Sequence, residues 1–233
     1  MPQFSVISGR DPMLQVDLYP GDVIITESNA LVLGDAGATV EGKLQGGIMS
    51  SVARKLFSEE SLFQQQIRAN KGRDGRVFLS PTLPGDIEVL DVGERQFFLN
   101  SGCFLASEQT VSLTQRLNSS VLGAFFGDVG GFVVMRTEGR GKLGLSAFGQ
   151  IMEVQVEEGD ELKVDNGHIV AWESTLDYKV TTASSRKGII GRMVSSAMSG
   201  EFLVTRFSGK GRLYISSRNH TAYQTYLKGL LVD

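Results

Sequence analysis

The residues best placed to do chemistry are basic ones gathered at glycine turns. Lys71, Arg73 and Arg76 flank the first such turn, Arg136, Arg140 and Lys142 the second, and Arg206, Lys210 and Arg212 the third. Guanidinium and ammonium groups beside exposed glycine amides are donors that hold phosphate oxygens. RNA or another anionic ligand is the partner such a band would serve. The competing reading is that charged tips keep the turns soluble. Specific RNA recognition also calls for stacking aromatics, and only Phe207 and Tyr214 lie close by.

The other reactive side chains point away from catalysis. Residues 139–144, GRGKLG, satisfy the dinucleotide pattern G-x-G-x-x-G. That pattern works only where a helix follows and its amides receive the pyrophosphate. Here LSAFGQIMEVQV continues as strand, so the segment reads as a turn. His168 and His220 are the only histidines, and neither has a metal-ligand spacing; His168 is expected as a surface strand residue. Cys103 sits in the apolar run FFLNSGCFLA without basic company and reads as core. Trp172 alternates with Val170 and reads as core too. No G-x-S-x-G elbow and no P-loop occur. No catalytic, cofactor-binding or metal residue is expected.

The elements carrying these residues recur along the chain. FVVMRTEGRGKLGLS at 132–146 matches FLVTRFSGKGRLYIS at 202–216 without a gap. Arg136 aligns with Arg206, Gly139 with Gly209 and Leu143 with Leu213. A weaker copy, GRDGRVFLS, ends at 80. A second element, MLQVDLYPGD at 13–22, resembles IMEVQVEEGD at 151–160 and the shorter IEVLDVGE at 87–94. Polar turns follow at Ser28-Asn29, at 100–102 (Asn-Ser-Gly) and at 165–167 (Asp-Asn-Gly), each leading into ALVL, CFLA or HIVA. Such turns between apolar runs predict hairpins. Three modules follow, at 1–82, 83–147 and 148–233, each ending in a strand–glycine–strand hairpin.

Alternation in Glu161–Asp165 and Met152–Val156 predicts strands with one face buried. Helix is expected only at 48–57, at 188–198 and in the tail AYQTYLKGLL, which reads equally as a closing strand. The fold class is therefore all-β with minor helix. A module of this size is marginal alone, and fused copies still leave an open sheet edge at each end. A homo-oligomer is expected, with a ring of three chains the simplest closed form.

Bulk properties fit this picture. The 233 residues carry a net charge of −3, which excludes a general attraction to nucleic acid or anionic membrane. One cysteine excludes an internal disulfide. No apolar run approaches the roughly 18 residues a spanning helix needs, and the opening MPQFSVISGRDP does not read as a signal peptide. A cytoplasmic location is expected.

Several motifs together resemble the altered-inheritance-of-mitochondria family, of unknown function in its bacterial members. They are VDNGHIVAWE at 164–173, LPGDI at 83–87, the Gly-Gly, short basic helix and S-x-E at 46–60, and SGEFLVTRFSGKG at 199–211. The resemblance covers nearly the whole chain. It implies a fold similar to the tryptophan RNA-binding attenuation protein: small β-sandwich modules of short double-stranded β-helix type, three per chain, with three chains in a ring. It brings no catalytic residues, and the attenuation protein's tryptophan and RNA contacts have no matching positions here. The functional expectation is a non-enzymatic binding or scaffold protein. An RNA or anionic-ligand binder comes second and an unrecognised enzyme third.

Overall fold

The structure, a computed structural model, describes residues 1–44, 63–115, 134–182 and 203–230. They are mostly antiparallel strands with one helix of more than a single turn. After β1 (Gln3–Ile7) come six strands: β2 (Met13–Leu18), β3 (Val23–Glu27), β4 (Leu31–Gly34), β5 (Ala38–Leu44), β6 (Phe63–Ala69) and β7 (Gly75–Leu79). The next six are β8 (Gly85–Val92), β9 (Phe97–Asn100), β10 (Phe104–Glu108), β11 (Val111–Gln115), β12 (Val134–Gly139) and β13 (Gly141–Phe148). The last six are β14 (Ile151–Val156), β15 (Glu161–Asp165), β16 (Ile169–Glu173), β17 (Asp177–Thr182), β18 (Leu203–Ser208) and β19 (Gly211–Ser216), followed by helix α1 (His220–Leu230). The helices expected at 48–57 and 188–198 lie outside the described residues.

One pairing scheme recurs in all three sets. The sixth strand lies between the first and the third: β2–β7–β4, β8–β13–β10 and β14–β19–β16. The fifth lies between the second and the fourth: β3–β6–β5, β9–β12–β11 and β15–β18–β17. The chain thus passes repeatedly from one layer to the other. Gly21, Gly93 and Gly159 all fall in the turn between the first and second strands. Gly21 and Gly159 share a left-handed φ of 92° and 93°.

Adjacent sets are joined by a further pairing. The third strand of each later set pairs with the second strand of the set before it, β10 with β3 and β16 with β9. Two six-stranded sheets result, β5-β6-β3-β10-β13-β8 and β11-β12-β9-β16-β19-β14. The half-sheets left over are β1-β2-β7-β4 at one end and β15-β18-β17 at the other.

Two sequence expectations fail here, for one reason. The turns at 28–29, 100–102 and 165–167 are not hairpins, because the strands they join lie in different sheets. Asn100 and Asp165 instead accept the amides of Gly102 and Gly167, which closes a short 3-10 turn and redirects the chain. The basic glycine turns are corners as well: β12 and β13 do not pair, nor do β18 and β19. At the β12–β13 corner Gly139 has φ 102°, and a Cβ there would lie 2.1 Å from the Thr110 carbonyl oxygen. That close approach requires glycine.

The core runs continuously across the set boundaries. Leu14, Val16, Leu18, Ile24, Ile67, Val77 and Leu79 pack with Leu105 and Ala106 of the next set. Phe97, Leu99, Leu143 and Leu145 pack with Val170, Ala171 and Tyr214. A third cluster centres on Trp172, with Phe207, Leu213 and Val156. The tail is helix, capped where the Asn219 carbonyl side chain accepts the Ala222 amide. No helix among the described residues is long and apolar enough to cross a membrane.

Candidate assembly interface

The nine basic residues all lie at or beside the corners between the fifth and sixth strands. Lys71, Arg73 and Arg140 are exposed; of these, Arg73 acts electrostatically on Asp35. Five others face carboxylates. Arg76 pairs with Asp17, Lys142 with Asp91 at 2.6 Å, Arg206 with Glu161 at 2.9 Å and Lys210 with Glu157 at 3.8 Å. Arg212 pairs with Glu173 at 2.6 Å and Glu153 at 3.5 Å. The Nε of Arg136 is buried and finds no hydrogen-bond partner among the described residues. Carboxylates therefore cancel most of the charge the corners would present.

The other side chains singled out in the sequence lie in the interior or at turns. Cys103 is buried, and burial pushes its thiol up to about 12, with the Glu27 carboxylate adding to the effect. His168 lies half-buried in the 3-10 turn, 2.7 Å from the Ser216 carbonyl oxygen, rather than on a surface strand. Trp172 is fully buried. No cluster of metal-ligating side chains exists among the described residues. GRGKLG forms the β12–β13 corner, and β13 continues from it as strand.

A feature the sequence reading missed is an acidic clasp at the end of each third strand. The Glu108 carboxylate accepts the Lys142 amide at 2.9 Å, and the Glu173 carboxylate accepts the Arg212 amide at 3.1 Å. Asp35 holds the matching place in the first set. Backbone hydrogen bonds from Arg76 and Gly37 lower its carboxyl below the ordinary value. These carboxylates fix the third strand onto the sixth. The signal was legible, since an acid follows ALVLG, CFLAS and HIVAW alike.

Around Arg212 lies a wider network. Tyr214 donates to Glu153 at 2.8 Å, and the guanidinium sits 5.9 Å from the rings of both Phe97 and Tyr214. Glu88, half-buried nearby on β8, is held above its ordinary pKa by desolvation first, then by Glu153 and Asp86, against the pull of Arg212. A raised carboxyl penalises the fold while it is ionised, and stability returns as pH falls through the folded value. Glu88→Gln is therefore expected to unfold at a higher temperature than the parent at neutral pH. The gain should vanish when melting is repeated in the ordinary carboxylate range.

The two end strands differ from their counterparts. All five residues of β10 and all five of β16 are buried, whereas in β4 only Leu31 is even half-buried. All three strands carry the same bulge, at Val32, Leu105 and Val170. Leu105 and Val170 are 0% exposed, but Val32 is 58% exposed and its neighbour Leu33 52%. What covers the later two is the preceding set, and β4 has none. At the other end, among the described residues, β15 pairs only with β18, so there its second edge has no partner strand, where β3 and β9 are paired on both sides.

Comparison with known proteins places relatives beside this geometry. The family model described as Mitochondrial biogenesis AIM24 matches residues 4–218. An uncharacterised protein of Streptococcus pyogenes serotype M6 is 32% identical over 226 residues, covering 94% of this chain and 87% of the relative. An X-ray crystal structure of a Streptococcus pyogenes protein superposes with a TM-score of 0.78 at 29% identity, covering 99% of this chain and all of the other.

Proposed function

The chain belongs to the mitochondrial biogenesis AIM24 family, and we propose that within it this protein is a non-catalytic scaffold whose copies join head to tail into a ring of three. Each copy contributes three tandem β-sandwich modules, bounded near 82 and 147 and similar to those of the tryptophan RNA-binding attenuation protein; β13 runs one residue beyond the second boundary, to Phe148. The observation carrying the reading is the exposure of Val32 at a position that is fully buried in both later sets. An edge strand with apolar residues on an open ladder is a template for pairing with another chain.

The internal joints give the register of the external one. Ala106 faces Thr26, and Ala171 faces Leu99. The equivalent residues at the ends are Leu33 on β4 and Val164 on β15. Gly34 then faces Lys163, which brings Lys163 beside the following Asp35 of the neighbouring copy. Because β4 and β15 are different surfaces, the contact is heterologous, and a closing rotation gives a ring. Module 1 of one copy then follows module 3 of another as modules follow one another within a chain.

RNA or anion binding at the corners is the weaker reading, resting on Lys71, Arg73 and Arg140, since most of the other basic side chains are neutralised by carboxylates. Native mass spectrometry tests the scaffold directly. Three times the 25.3 kDa chain mass is expected, with no nucleic acid retained; a monomer at micromolar concentration would sink the reading.

A further inference from the structure

Successive modules are stitched by the segments that connect a sixth strand to the next first strand. Gly149 donates to the Pro84 carbonyl at 3.1 Å and accepts the Asp86 amide at 2.8 Å. One module further on, Ser217 donates to the Gln150 carbonyl at 2.9 Å, and the Gln150 amide reaches the Ser217 hydroxyl at 2.8 Å. Each connecting segment therefore rests on the next, and β1 likewise lies against β8.

At the joint between copies this slot has two occupants. The segment following β19 of one copy enters it as α1, and β1 of the next copy enters it ahead of β2. Both carry uncovered apolar residues. On α1, Tyr223, Tyr226, Leu227 and Leu230 recur at helical spacing and are 38%, 63%, 38% and 58% exposed. On β1, Val6 and Ile7 are 36% and 38% exposed; they lie on opposite faces of the strand, and Val6 shares its face with Phe4, which packs on the core. Tyr223 is partly held by Phe148, with ring centroids 4.9 Å apart. Asn219 ties the start of α1 to Asp165 at the end of β15 at 3.4 Å. The helix is thus anchored at the very strand whose open edge receives the next copy.

We propose that α1 is an intersubunit clamp: Tyr226, Leu227 and Leu230 of one copy cover Val6 on β1 of the next. This rests on the head-to-tail reading above and adds the second surface of that joint. Charge does not oppose the contact, because Lys228 is the sole formal charge on α1 and β1 has none.

The test measures the dissociation constant of the assembly by sedimentation over a dilution series, with circular dichroism confirming that the folds match. Tyr226→Ser with Leu230→Ser on the helix, and separately Val6→Ser on the strand, are each expected to weaken assembly about tenfold or more, from lost apolar burial. All three changes together should weaken it little more than the helix pair alone, because both variants remove one contact. Unchanged affinity in either variant, or fully additive losses, would overturn the clamp while leaving the ring intact. A wild-type monomer would instead remove the head-to-tail reading on which the clamp rests.

Discussion

A Val32→Asp chain is expected to remain folded and to sediment as a monomer. In one copy the side chain already faces water, so a carboxylate there should leave thermal unfolding of the isolated chain close to the parent's. In the joint it would occupy the place of Leu105 and Val170, both fully buried. An unpaired carboxylate in such surroundings costs several kcal/mol, on the order of a thousandfold or more in association. The matching change Leu105→Asp puts the same charge inside a joint within the chain, and that protein is expected to fail to fold. Velocity sedimentation of Val32→Asp beside the parent reads the difference. Persistence of the parental assembly would mean that β4 is not its surface.

The second large effect concerns Trp172. Its indole lies 5.5 Å from the Phe98 ring, 5.0 Å from Tyr178 and 5.4 Å from Phe207. It therefore ties β16 to β9 of the preceding set and to β17 and β18 of its own. Trp172→Ala leaves a cavity where these strands meet, and loss of such a side chain costs about 3–5 kcal/mol. Against a total stability of roughly 5–15 kcal/mol, the variant is expected to be marginal. Trp172 is the only tryptophan, so urea unfolding should be followed by far-ultraviolet circular dichroism. A midpoint shift equivalent to less than 1 kcal/mol would show that the cluster closes over the gap.

Much of this architecture is written in the residues, and the limits of legibility have a physical origin. Gly21, Gly93 and Gly159 all fall between the first and second strands of their sets, and at Gly21 and Gly159 a left-handed φ favours glycine whatever lies around it. Arg136 and Arg206 both pair across to the second strand of their own set, opposite Phe98 and Lys163. Partner choice was not legible. Asn-Ser-Gly and Asp-Asn-Gly are good hairpin signals, yet here the polar side chain caps a 3-10 turn and sends the next strand to another sheet. Local turn chemistry reports that the chain reverses, not which ladder it joins. The pairing of β10 with β3 and β16 with β9 is a long-range choice, fixed by burial on both faces of the third strand.

The basic corners show the same limit for the site. Arg206 and Lys210 look like free cations in the sequence because Glu161 and Glu157 lie some 45 and 53 residues earlier. Only folding brings the carboxylates beside them. The acids at 35, 108 and 173 were visible but looked like ordinary surface residues. Their role appears once the third and sixth strands are seen to pair.

The most direct measurement is oxidative cross-linking of a Leu33→Cys, Val164→Cys chain. Facing residues of antiparallel strands lie about 4.5–5.5 Å apart, within reach of a disulfide, and Cys103, with its thiol held at about 12, does not compete. Head-to-tail pairing in this register predicts covalent dimers and trimers on a denaturing gel, with the trimer as the end point. Chains that stay monomeric after oxidation, while the parent assembles normally, would contradict it.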